Sequence, residues 1–243
     1  MIVVRTVDKR KEKTVDKIAF IGSTATARQI MKSAANTLKN VTLKTGRMIL
    51  LLIFEDAEME QAFKWSHFGI MSNQGQICIA TSRIMVHSSI HSKFVSAFVE
   101  HLEKTSILSD PFDEKTYQDE GANLIYGNSP PEQSKGYFIT PCVFTDVTPG
   151  MSIYREEVFG PVVVITSFEN EQEAIDAAND TTYGLGAADI EAGMVWVNSS
   201  QDCDPRVPFG GVKQSGIGRE LGQAGLEAYS QIKAVHINMG NRL

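Results

Sequence analysis

Apolar positions recur along the chain with two different spacings, and the changes between them mark out the elements. Ile18, Ala19, Phe20 and Ile21 form a short apolar run inside Lys17–Ser23 that ends in Gly-Ser and predicts a strand. Ala27, Ile30, Met31, Ala34, Ala35 and Leu38 then fall at helical spacing, with Ser23, Thr24 and Thr26 as N-cap candidates. Met48–Phe54 is the longest apolar run, which suits a buried strand and is far too short to cross a bilayer. Asp56 opens a predicted helix through Phe68 with Met59, Ala62 and Phe63 on one face. Arg83–His87 reads as a strand, followed by a helix that turns Ile90, Phe94, Ala97, Phe98 and Leu102 inward.

Pro111 and the Ser129-Pro130-Pro131 cluster mark loops. Beyond them, Val162–Phe168 predicts a strand, Glu171–Asn179 a short helix and Met194–Asn198 another strand. Arg219–Tyr229 predicts a helix, and Ile232–Asn238 a final extended segment. Strands that alternate with helices predict an α/β fold with parallel pairing.

Composition narrows the function classes. Hydrophobic residues make up 42% of the 243 positions and charged ones 21%, an ordinary globular balance with enough apolar material for a core. Asp plus Glu outnumber Lys plus Arg by 29 to 23, so the basic footprint of a nucleic-acid binder is absent. Met1–Lys13 has no long apolar stretch before its basic run, so no secretory signal is expected there. The expectation is a cytoplasmic protein with neither nucleic acid nor membrane as partner.

The three cysteines, Cys78, Cys142 and Cys203, are too widely spaced for a disulfide framework or a zinc site and fit a reducing compartment. Cys142 lies in an apolar strand-like run and reads as core, while Asp202 and Asp204 flank Cys203 and should raise its thiol pKa. His87 and His91 are four apart, but no carboxylate accompanies them in sequence, so no metal is expected.

Candidate chemistry concentrates at Ser72-Asn73-Gln74-Gly75-Gln76-Ile77-Cys78, a polar loop with a glycine that delivers a cysteine to the apolar Ile79 and Ala80. A nucleophilic thiol needs partial access and a cation or helix N-terminus nearby; a buried inert cysteine is the alternative. Glu157 stands as either a site carboxylate or a surface partner of Arg155, and Phe209 as either a pocket wall or core packing. Gly184-Leu185-Gly186 and Gly216-Ile217-Gly218 each lack the final glycine of a dinucleotide fingerprint.

Asn73–Cys78 resembles the active-site cysteine segment of the aldehyde dehydrogenases, and four further blocks follow the same family in order. Phe20-Ile21-Gly22-Ser23-Thr24 is similar to its Gly-Ser turn, and Glu156-Glu157-Val158-Phe159-Gly160-Pro161-Val162 to its Glu-x-Phe-Gly-Pro segment. Asn179–Leu185 and Pro208–Gly216 match two more signatures. The resemblance implies an aldehyde-dehydrogenase-like catalytic domain with a parallel sheet, plus a remnant of a Rossmann-type cofactor domain. It assigns 1–46 to the remnant, 47–230 to the catalytic domain and 231–243 to a C-terminal oligomerisation strand.

By the same resemblance Cys78 attacks an aldehyde, passes through a thiohemiacetal and a thioester, and yields a carboxylic acid with NAD or NADP as hydride acceptor. Gly22 and Ser23 would border the cofactor pyrophosphate, Glu157 the nicotinamide ribose and Phe159 the nicotinamide, with Phe209 in the substrate pocket and a homo-oligomer as the assembly. The backbone N–H of Cys78 and an Asn side chain would form the oxyanion hole.

The departures from the family are specific. Leu43-Lys44-Thr45-Gly46-Arg47-Met48 occupies the Leu-Glu-Leu-Gly-Gly-Lys segment, so the general-base Glu is Lys44. Roughly the first half of the family's length, with the oxyanion Asn and the Lys that binds the adenosine ribose, has no counterpart. The chain reads as shortened near Gln118–Gly121 and again at Ala187–Gly193, where too few residues remain for a βαβ crossover. These features set a second expectation beside aldehyde oxidation: an inactive remnant or pseudoenzyme that acts at most as a binding module.

Overall fold

The computed structural model describes residues 15–46, 49–105, 123–127, 139–184 and 191–237. Both shortened stretches anticipated near 118–121 and 187–193 fall wholly or partly outside the described residues.

β1 (Lys17–Ile21) runs parallel to β2 (Asn40–Lys44), with Lys17 opposite Asn40 and Ile21 opposite Lys44. α1 (Thr24–Ala35) joins them, and its start is fixed by Ser23, whose hydroxyl accepts the Thr26 N–H at 3.2 Å. Ala27, Ile30 and Ala34 press onto Ile18 and Leu43. The other predicted inward positions, Met31, Ala35 and Leu38, face solvent. Leu38 lies past the helix end at φ +51 and is 92% exposed, so a three-residue stripe suffices to seat this helix on two strands.

The larger sheet supplies the main core. β3 (Leu50–Ile53), β4 (Arg83–His87), β5 (Asn123–Tyr126), β6 (Cys142–Thr145) and β7 (Val162–Phe168) take the order β3-β4-β7-β6-β5. All pairs are parallel except β5 with β6. Alternation along these strands sorts side chains to two covered faces. Ile53, Ile84, Val86, Val143, Val163 and Ile165 meet Ile70 of α2 (Met59–Met71) and Phe94, Phe98 and Leu102 of α3 (His91–Thr105). Phe144 and Val164 meet Ile153 and Tyr154 of α4 (Ser152–Arg155), while Leu50, Met85 and Phe168 meet Ala174 and Ala178 of α5 (Glu171–Asn179).

α2 begins at Met59 instead of Asp56, because the Glu58 carboxylate accepts the N–H groups of Glu60 and Gln61 at 3.1 and 2.7 Å. β8 (Tyr183–Gly184) pairs antiparallel with β9 (Val212–Lys213), and β10 (Gly216–Ile217) adds antiparallel to β2. The small sheet is therefore β1-β2-β10, completed by a segment far away in sequence.

Two predicted elements differ. Met194–Asn198 keeps a strand's alternation, with Met194 and Trp196 turned inward and Val195 and Val197 exposed, but it forms no named strand, and Asn198 at φ +56 ends the extended run. The helix predicted over Arg219–Tyr229 shrinks to α6 (Gly222–Glu227). Glu220 instead pairs with Phe209 through two backbone hydrogen bonds, and Leu221 adopts φ +60, which forbids helix before it. Residues 231–237 are exposed and form no helix or strand; 238–243 lie outside the described residues.

Candidate active site

The cysteine loop is shaped by a tight reversal. After α2 ends, Asn73, Gln74 and Gly75 adopt φ of +50, +56 and +69, three left-handed residues in succession. Such backbone costs about 1–2 kcal/mol per non-glycine residue. Local bonds help offset it: the Gln76 N–H donates to Asn73 O at 3.0 Å and Asn73 Nδ2 donates to Gln76 O at 3.1 Å. Gly75 admits no side chain, since a Cβ there would lie 2.0 Å from Gly160 O. The cysteine loop and the Glu-x-Phe-Gly-Pro loop are thus in direct backbone contact.

The chain then delivers Cys78, half-buried, into an apolar nest of Ile49, Ile77, Ile79, Met194, Trp196 and Phe209. Phe209 therefore packs on the same apolar cluster as the cysteine. Its ring also carries a cation: Lys44 Nζ sits 4.0 Å from the ring centroid. Lys44 is only 8% exposed, and its ammonium pairs with Glu220 Oε2 at 2.5 Å. Burying that charge requires a partner, and the Phe209–Glu220 backbone bridge holds the partner in place.

A second focus lies at Gly46. Ser215 Oγ, fully buried, donates to Gly46 O at 2.7 Å and accepts the Gly184 N–H at 3.0 Å. The Gly46 N–H donates to Thr24 Oγ1 at 3.3 Å, and the Gly22 N–H donates to Lys44 O at 3.0 Å. A Cβ at Gly46 would stand 2.7 Å from the Tyr183 ring, 3.0 Å from Glu157 Oε2 and 3.1 Å from Thr24 Oγ1. The Gly-Ser turn, the Lys44–Gly46 segment and Glu157 thereby meet, with Gly22 and Ser23 exposed at the start of α1. Burial, followed by the Glu157 charge, pushes the Tyr183 hydroxyl above the usual phenol range. Phe159 stands beside the Gly160 contact and is 52% exposed.

The alternative partner for Glu157 is engaged elsewhere, since Arg155 pairs with Asp180 at 2.8 Å. Cys142 is core, as its sequence setting suggests. The Cys203 thiol is raised, first by burial, then by Cys78 and Asp202, with Lys44 opposing. Asp204 instead grips its neighbour Arg206, with Nε at 2.9 and 3.0 Å from its two oxygens. His87 has Ser89 Oγ 2.7 Å from Nδ1 and Glu55 3.7 Å from Nε2. Among the described residues no group of three or more His, Cys, Asp or Glu side chains could hold a metal, and no helix is long and apolar enough to cross a membrane.

Sequence reasoning missed Glu220, Tyr183 and Ser215. The lysine in the general-base position was the available signal for Glu220, because a cation placed in an apolar site demands a counter-charge. Nothing local announces Ser215, whose importance comes from two backbone groups brought to it by folding.

The sequence matches the aldehyde dehydrogenase family over residues 10–118 and 115–235. Relatives include an aldehyde dehydrogenase-like protein of Schizosaccharomyces pombe, 44% identical over 96% of this chain and 54% of its own length. The peroxisomal aminoaldehyde dehydrogenase 2 of Pisum sativum is also 44% identical, over 91% of this chain and 51% of its own length. Among solved structures, the NAD+ complex of an aldehyde dehydrogenase from Bacillus cereus superposes with a TM-score of 0.87 at 36% identity, covering 95% of this chain and 54% of that one. A Staphylococcus aureus betaine aldehyde dehydrogenase mutant in complex with NAD+ gives 0.88 at 35%, covering 96% and 55%. The chain spans about half the length of the relatives it matches.

Proposed function

Because the chain belongs to the aldehyde dehydrogenase family, we propose that it captures an aldehyde on Cys78 and carries it to the acid oxidation level with NAD or NADP. The observation behind this reading is the nest around Cys78: a half-buried thiol packed on the same apolar cluster as Phe209, whose ring carries the Lys44 ammonium. A nearby cation favours the thiolate, which is the attacking form. Cys78 Sγ adds to the carbonyl carbon, and the resulting oxyanion is met by the Cys78 backbone N–H.

The residues present fit one side of a dinucleotide. Ser23 caps α1, whose exposed first turn suits a phosphate, and Glu157 stands beside Gly46 within reach of the same turn through Thr24. When bound, the cofactor accepts the hydride whose loss converts the thiohemiacetal to a thioester. Release of the acid then needs an activated water, and Lys44 paired with Glu220 is no base for it. The acyl group should therefore stay on Cys78, with hydrolysis as the slow step.

That ion pair also favours a second reading, an inactive remnant that binds ligand without turning it over. Purified protein incubated with NAD or NADP and an aldehyde panel separates them. The panel includes betaine aldehyde and an aminoaldehyde, because those words appear in the relatives' names. A stoichiometric burst of reduced cofactor with an acyl adduct on Cys78, lost in Cys78→Ala, supports the first reading. No burst and no adduct from folded protein leaves the second.

Residues 231–237, with exposed Ile232, Val235 and Ile237, suit edge pairing in a homo-oligomer, which gel filtration tests. The cysteine usage supports a cytoplasmic location; cell fractionation tests it against the chloroplastic and peroxisomal compartments in the relatives' names.

A further inference from the structure

We infer that Cys203 is a resolving thiol for Cys78, so that an oxidant closes a reversible Cys78–Cys203 disulfide over the site. The inference rests on the nucleophilic role proposed for Cys78, but its readout is a covalent bond and not turnover.

The loop that carries Cys203 is fastened to both flanks of the cysteine segment. Ser200 Oγ and Thr81 Oγ1, both on buried residues, lie 3.0 Å apart, three residues beyond Cys78. Gln201 Nε2 donates to Gly69 O near the end of α2, the helix that leads into the Cys78 loop. Trp196 Nε1 donates to Asp202 O at 2.6 Å, and the Trp196 side chain belongs to the nest that holds Cys78. Cys203 is thus one residue beyond a carbonyl gripped by a neighbour of Cys78. Burial first, then Cys78 and Asp202, push the Cys203 thiol up, with Lys44 opposing, and neither cysteine is in a disulfide. Cys142, in a separate core cluster, is too deeply packed to compete.

Hydrogen peroxide serves as the oxidant. The Cys78 thiolate attacks one peroxide oxygen, the O–O bond breaks, and hydroxide leaves with the electron pair, taking up the proton that Cys78 first released. The sulfenic acid so formed is attacked by the Cys203 sulfur. The S–S bond forms, the S–OH bond breaks, and the hydroxyl departs as water with the Cys203 proton. Two thiols lose two electrons and one peroxide becomes two waters. The disulfide protects Cys78 from the irreversible sulfinic and sulfonic states, at the expense of activity until a thiol reductant reopens it.

The test treats the full chain with equimolar peroxide, titrates thiols under denaturing conditions and maps tryptic peptides. The expected result is a fall from three titratable thiols to one, Cys142, and a linked pair of peptides, 65–83 with 156–206, that dithiothreitol separates. In Cys203→Ser, checked for an unchanged circular dichroism spectrum, no linked pair forms, and a second equivalent of peroxide, added to both proteins, carries Cys78 of the variant on to the sulfinic acid, which dithiothreitol does not reverse. Sulfinic acid on Cys78 at equal rates in both proteins, or a bridge to Cys142 or between chains, overturns the inference. A 78–203 bridge in a protein with no aldehyde adduct would refute the proposed catalysis and leave this inference standing.

Discussion

Around β4 and β7 the chain is secured by apolar packing, with Phe94, Phe98, Val163 and Ile165 wholly excluded from water in one core cluster. Residues 191–237, which wall the cysteine nest, contain only two-residue strands and one short helix. They are held instead by single hydrogen bonds, by the ion pairs Lys44–Glu220, Arg206–Asp204 and Lys213–Glu191, and by glycines at close approach, such as Gly193, whose Cβ would stand 1.9 Å from Gly210 O. The first region tolerates exchange among hydrophobes of similar volume, whereas the second depends on individual atoms. Stability and chemistry are consequently separable here, and substitutions can address one without the other.

The sharpest test of that separation is the charge swap Lys44→Glu with Glu220→Lys, which keeps the pair and puts a carboxylate in the base position. Thioester hydrolysis should rise about 10²–10⁴-fold, measured as steady-state cofactor reduction, with little change in thermal midpoint. An unchanged rate would show that the missing base is not what limits turnover.

Phe98→Ala works from the other side. Urea unfolding should show a loss of about 3–5 kcal/mol, while Cys78 alkylation in the folded fraction keeps its rate. A large change in alkylation would break the separation. Gly75→Ala strains the junction of the two loops and should cost about 1–3 kcal/mol together with a marked change in Cys78 reactivity, read by iodoacetamide kinetics. Ser23→Ala removes the α1 cap and should cost about 1 kcal/mol in the same unfolding assay.

The smallest effect concerns pH. His67 and His101 stack edge to face at 4.9 Å between α2 and α3. Burial first, then each one's neighbouring cations, hold both imidazoles below their ordinary value: His101 acts on His67, and Lys64 and Lys104 act on His101. The fold therefore prefers them neutral. Their contribution is complete above about pH 6.5, the unfolded value, and is lost as pH falls through the lower folded values. His67→Phe should flatten that acid limb in a series of unfolding curves.

The sheet was legible because periodicity reports it: β4, β7, α3 and α5 emerged from apolar spacing alone. The candidate site was proposed only through motif resemblance, since Cys78, Glu157 and Phe209 sit in loops that carry no period. Met194–Asn198 illustrates the limit. Its alternation is real and packs Trp196 inward, but among the described residues only Met194 makes a bridge and no named strand forms, since pairing is a property of the partner as much as of the strand. Glu220 failed for a related reason: its role depends on Phe209, eleven positions away, and on β2, far earlier in the chain.

The contact between Lys44 and Glu220 also constrains mutational paths. Lys44→Glu alone sets two carboxylates against each other, and Glu220→Lys alone sets two ammonium groups together beside an aromatic ring. Each intermediate carries a repulsion that the paired states lack. The two positions are therefore epistatically locked: a return to a carboxylate base requires both changes, in a lineage where neither is favoured by itself.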